Sequence, residues 1–163
     1  MTSGELELIG WRRTVAGLYA AVRAEDDPRR AHRMWRRGRD ELFRSHPGSP
    51  LPPGDPLRAT GLPYWPYEPG LRFELPLLPA ERELSLSVPT SEGVTPMDRI
   101  GRLQLPAPLD TAKGADLGGR DGRLVVDLNF LYHPSCRYND AWQCPLAPPG
   151  NTIAAPVAAG ERL

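Results

Sequence analysis

A chain of 163 residues suits one domain with enough bulk to bury a real core. Its 20 basic and 20 acidic residues cancel, which removes bulk charge as an argument for a nucleic-acid or membrane partner. No apolar run approaches the roughly 20 residues that span a bilayer. Twenty prolines and 16 glycines fall mostly after residue 46, so that part is ordered by turns and short strands or is only partly ordered. The first residues are acidic and lack the apolar stretch of a signal peptide, so a cytoplasmic location is expected. There Cys136 and Cys144 are expected as thiols or metal ligands rather than as a disulfide.

Residues 5–24 read as an amphipathic helix, because Leu8, Trp11, Val15, Leu18 and Val22 recur at spacings of three and four. Asp27-Pro28 is a start signal, an N-cap acceptor followed by proline at the first helical position. A second helix follows to about residue 45, with Ala31, Met34, Trp35, Leu42 and Phe43 on its apolar side and Gly38 weakening its middle. Pro47-Gly48 ends it, and the short polar joint Glu25-Asp26-Asp27 makes the pair a hairpin. The prolines between residues 49 and 56 forbid helix. Tyr64-Trp65-Pro66-Tyr67 then reads as a core plug or turn. Short runs at 71–75, 83–88, 100–105 and 124–128, each bounded by glycine or proline, read as β-strands. Residues 153–157 offer a last, interrupted edge strand, since Pro156 cannot donate to a ladder. The expected fold is α+β: a helical hairpin over residues 1–47 and a β-rich region over 48–163, in a single domain.

The densest chemistry lies from Asp127 to Arg162, at the end of the strand-like run 123–128 and in the proline-rich loop after it, where a scaffold fixes a loop's ends. Its residues, Asp127-Leu128-Asn129-Phe130-Leu131-Tyr132-His133-Pro134-Ser135-Cys136-Arg137-Tyr138, then Cys144-Pro145-Leu146, Pro148-Pro149-Gly150-Asn151 and Ala159-Gly160-Glu161, resemble the bacterial and archaeal family known as domain of unknown function 1684. The block from Leu109 to Gly118 is similar to the actinobacterial branch, and Arg39-Asp40, Phe43, Ser49-Pro50-Leu51 and Gly61-Leu62 with Tyr64 match the family's N-terminal pattern. The family pattern carries further aromatic strands between the run 100–105 and the Leu109-Asp110 block. Here Pro106-Ala107-Pro108 runs straight into Leu109, so the resemblance implies an internal deletion that leaves sheet edges unpaired.

Three readings of this region compete. Directional polar groups on Asp127, Asn129, Tyr132, Tyr138, Asn151 and Glu161, beside Phe130 and Trp142, suit a small-molecule pocket. The bland counterpart is that Asp127 and Asn129 cap turns, the tyrosines bury their rings, and Glu161 pairs with an arginine such as Arg123. Alternatively His133, Cys136 and Cys144 bind a zinc-like ion, with Asp127, Asp140 or water completing the set. The gap of eight from Cys136 to Cys144 departs from the usual close pairs, and the family pattern also permits asparagine in place of His133. The same residues suggest a Cys136–His133–Asp127 nucleophile, although no known elbow surrounds it. Last, Arg29, Arg30, Arg33, Arg36, Arg37, Arg39 and Arg44 make the second helix basic, an adaptor face for an acidic partner. No aromatic platform interleaves them, which argues against nucleic acid. Gly118-Gly119-Arg120-Asp121-Gly122 precedes no helix and reads as a turn rather than a phosphate loop.

Overall fold

Two long helices start the chain in the computed structural model, which describes residues 3–79, 85–90, 93–98, 100–109, 116–120, 123–142 and 153–162. Helix α1 is Ser3–Ala24 and α2 is Pro28–Ser45. The N-terminus of α2 follows from local chemistry: the Asp27 carboxylate accepts from Arg30 N at 3.0 Å, and Pro28 occupies the first turn, where its missing N–H costs nothing. The helices meet closely at Gly38. A Cβ there would fall 2.5 Å from Leu18 Cδ1, so the glycine that weakens α2 locally admits the α1 side chain.

A single turn of helix, α3 (Leu57–Thr60), leads into Tyr64, which is buried as a plug against Trp35 with ring centroids 5.5 Å apart. Strands β1 (Arg72–Pro76), β4 (Asp116–Arg120) and β5 (Arg123–Asp127) form an antiparallel sheet in the order β1-β5-β4, while β2 (Ser85–Thr90) and β3 (Gly93–Asp98) form a separate hairpin. The α+β class is therefore as the sequence indicates.

Three local expectations are revised. Residues 100–105 make no strand; they contribute one bridge, Leu78 to Arg102, while Leu103 and Leu105 pack inward without a ladder. Residues 153–157 run as an irregular segment whose Ile153, Ala155 and Val157 cover the same core. Of the turn expected at 118–122, Gly118, Gly119 and Arg120 lie within β4, whose register shifts between Asp116 and Gly119, while residues 121–122 lie outside the described residues.

The apolar residues gather in two clusters. The first joins Trp11 and Val22 of α1 to Ala31, Trp35, Leu42 and Phe43 of α2, and extends to Leu51, Leu62, Tyr64 and Phe130. The second gathers Leu105, Leu109, Val126 and Leu128 beside the sheet. β5 is followed at once by a 3₁₀ turn, Leu128–Phe130, so the chain passes from the second cluster to the first within a few residues. That passage delivers the loop after residue 130 to the helical layer.

Candidate ligand cleft

Asp127 closes β5 and caps the turn that follows. Its carboxylate accepts from Asn129 N at 3.0 Å, from Asn129 Nδ2 at 2.8 Å and from the Tyr67 hydroxyl at 3.3 Å. Arg72 Nε lies 3.9 Å away. Asn129 in turn zips two segments: its Oδ1 accepts from Glu68 N at 2.7 Å and its Nδ2 donates to Glu68 O at 2.9 Å. Burial pushes the Asp127 carboxyl above its ordinary range, opposed by the bonds from Asn129 and Tyr67. Burial, reinforced by the neighbouring carboxylate, pushes the Tyr67 hydroxyl up to about 12. Behind them His32 lies among the rings of Trp35, Tyr67 and Phe130 at 5.7, 5.3 and 5.4 Å. Burial, with Arg36 next, depresses its imidazole to about 4, and its Nε2 has no hydrogen-bond partner among the described residues.

Glu161 makes the second centre. Gly160 precedes it with φ +73°, and any Cβ there would collide with the Leu131 carbonyl oxygen, so only glycine permits this approach. The backbone is then held from both sides: Trp65 N donates to Gly160 O, Glu161 N to Leu131 O, and Arg162 N to Pro63 O, each at 2.8 Å. The carboxylate so placed is fully buried. Its Oε2 accepts from Arg39 Nη2 at 3.0 Å and from His133 N at 2.8 Å, and its Oε1 from the Tyr138 hydroxyl. Burial, then Glu161 itself, pushes the Tyr138 hydroxyl far up, so it stays a donor.

Arg39, counted in the sequence with the basic residues of α2, does not share an exposed basic face. It falls four residues after Trp35 and four before Phe43, in the middle of the apolar stripe, and its side chain is only 10% exposed. Its guanidinium lies 4.7 Å from the Tyr132 ring, 4.9 Å from Phe43 and 5.4 Å from Trp35. Burial opposes its charge, but Glu161 and the surrounding tyrosines outweigh that and hold Arg39 above its ordinary range. Its Nε and the Tyr64 hydroxyl have no hydrogen-bond partner among the described residues. The partner expected for Glu161, Arg123, instead donates to Glu74 O at 2.6 Å. On the outer face Arg30 pairs with Glu25 at 2.7 Å, while Arg29 and Arg36 lie over the rings of Tyr67 and Tyr64 at 5.2 and 4.6 Å.

A cleft of about 290 Å³ opens beside Arg39. Helix α1 lines it with Trp11, Val15 and Tyr19, α2 with Arg39 and Phe43, and the loop with Tyr132, His133, Pro134 and Ser135. Tyr132 is half exposed at the rim. Tyr19 accepts from Trp35 Nε1 at 3.3 Å, and burial raises its hydroxyl above the ordinary range, so the proton remains for donation. A smaller hollow of about 110 Å³ sits at the α1–α2 joint near Asp127.

Of the residues singled out in the sequence, the structure brings Tyr132 and His133 to the cleft, and sets Tyr138 and Glu161 directly behind it. Asp127 and Asn129 hold the start of the loop. Phe130 is buried in the first cluster, and Trp142 lies 6.0 Å from Trp11. Cys136 sits in the 3₁₀ turn Ser135–Arg137, whereas Cys144 and Asn151 lie outside the described residues. Among the described residues no three His, Cys, Asp or Glu side chains come together as a set for a metal ion, and no helix is long and apolar enough to cross a membrane. Sequence reasoning missed Tyr19 and Arg39 as cleft residues; both were legible as continuations of the stripes Trp11-Val15-Tyr19 and Trp35-Arg39-Phe43 at four-residue spacing.

No curated protein matches the chain. Residues 109–162, which carry Tyr132, His133, Tyr138 and Glu161, match the model of the family described as "Protein of unknown function (DUF1684)", and over that C-terminal segment the chain resembles this family.

Proposed function

We propose that the chain is a cytoplasmic small-molecule-binding protein whose ligand occupies the cleft between α1, α2 and residues 132–135. One observation carries this: an aromatic-walled cleft of about 290 Å³ bordered by a buried arginine whose Nε lacks a partner among the described residues. Apolar walls with a few directional polar groups are what a small-molecule site requires, because the walls supply affinity and the polar groups fix orientation. Tyr132 closes the rim over the guanidinium. Tyr138 and Glu161 act from behind, holding Arg39 and the His133 backbone in place, and Asp127 and Asn129 anchor the loop on which both tyrosines ride.

The test fills the cleft without touching the ion pair. Val15 is half-buried and has no polar partner to lose, so Val15→Trp places a ring in the cavity while preserving the helix. A ligand-observed NMR screen of small aromatic compounds is expected to give hits with the natural chain that vanish with Val15→Trp, at equal thermal stability. Hits that persist in the filled variant would place binding elsewhere and end this reading.

A further inference from the structure

The cleft's charge balance restricts what it accepts. Its donors among the described residues are the guanidinium of Arg39 and the hydroxyls of Tyr19, Tyr132 and Ser135, the Tyr19 oxygen already accepting from Trp35, with the His133 ring beside them. Among the described residues no Asp or Glu lines it. The nearby Glu161 carboxylate has both oxygens engaged, Oε2 by Arg39 and the His133 backbone and Oε1 by Tyr138, so it offers a cationic ligand little. Nor does the cleft hold surplus positive charge. Arg39 is matched by Glu161 at 3.0 Å, so an arriving anion would give up its hydration for a pair that is already neutral. What the lining offers is mainly hydrogen-bond donation, from the Tyr19 proton and the neighbouring hydroxyls beside the Arg39 guanidinium. Trp11, Phe43 and Tyr132 contribute aromatic rings to the walls, and the guanidinium carbon of Arg39 lies over the Tyr132 ring, 4.7 Å from its centre.

Resting on the binding function proposed above, we infer that the cleft selects a neutral, planar, one- or two-ring aromatic molecule bearing a carbonyl oxygen, of the amide, lactam or aryl ketone class. The oxygen accepts from Tyr19 and Arg39 while the rings lie between Trp11, Phe43 and Tyr132. Among the described residues of the cleft a cation finds no free carboxylate, and a carboxylate finds no unmatched cation.

Three probes of similar size read this directly: 2-naphthamide, 2-naphthoate and 2-naphthylmethylamine, titrated by saturation-transfer NMR at about pH 8, where the carboxylate is ionised and the amine protonated. The amide is expected to bind about tenfold tighter than either charged probe, the difference that uncompensated desolvation of a charge imposes at its mild end. Tyr19→Phe also strips Trp35 Nε1 of its acceptor, so it is titrated well below its own melting point, where it is expected to weaken the amide by about two- to tenfold more than it weakens naphthalene, the value of one hydrogen bond. If the naphthoate or the amine equals or exceeds the amide, the selectivity inference fails while the binding function stands. If none of the three binds, both fall.

Discussion

Asp127 and Glu161 are both buried carboxylates, and they do opposite jobs. Asp127 draws its partners chiefly from its own turn, Asn129 two residues on, with Tyr67 and Arg72 at the margins. Glu161 draws on the far ends of the chain, since Arg39 stands 122 residues away and Tyr138 and His133 come from the intervening loop. Asp127 therefore shapes a local turn, with no cation among the described residues closer than 3.9 Å and its carboxyl raised by burial. Glu161 ties the helical layer to the C-terminal segment, and its partner forms one wall of the cleft. A buried carboxylate whose partners are distant in sequence assembles a site; one whose partners are adjacent finishes a turn.

The comparison breaks most readily at the ion pair. Glu161→Gln or Arg39→Met alone leaves a buried group uncompensated and is expected to cost about 3–5 kcal/mol of stability in urea unfolding. The double variant should lose less than the sum of the two, because it leaves no orphaned charge. Additive losses would mean that the two side chains stabilise the fold independently.

The Asp127 side carries a pH signature of its own through His32. Between about 6.5 and about 4 the unfolded histidine takes up a proton that the folded one refuses, so stability falls as pH drops through that window and levels off below it. The full effect is about 3 kcal/mol. The raised Asp127 carboxyl works the other way, since the folded chain takes its proton first as pH falls. The comparison with His32→Gln isolates the histidine: that variant should show a flatter acid slope than the natural chain, and equal slopes would contradict the burial of a neutral imidazole.

Asp127→Ala should be the mildest of these changes. It uncaps the turn and strands the Asn129 donors, at a cost of about 1–3 kcal/mol, and binding in the cleft should survive it. A loss larger than that of Glu161→Gln would reverse the ranking of the two centres.

Much of this architecture was legible from local rules. The start of α2 at Pro28 follows from Asp27-Pro28, and the stripe of Leu8, Trp11, Val15, Leu18 and Val22 marks α1, because helices answer to neighbours three and four residues away. The strands near 72–76 and 123–127 were equally plain. What escaped were relations between distant segments. Residues 100–105 have strand composition, yet among the described residues they find a single bridge and leave Ile100 exposed, since a strand exists only with a partner. Arg39 reads as one arginine among many, because nothing in its neighbourhood announces a carboxylate 122 residues on. The cleft has the same character: α1 and α2 provide one side, and the loop carried by residues 109–162, the segment resembling the family of unknown function, provides the other.

The most direct test of the cleft is a two-dimensional amide NMR titration of the full chain with 2-naphthamide. The account predicts shifts concentrated on Val15, Tyr19, Arg39, Tyr132 and His133, with Asp127 and Asn129 silent. Shifts centred on the Asp127 turn, or none at saturating probe, would contradict it.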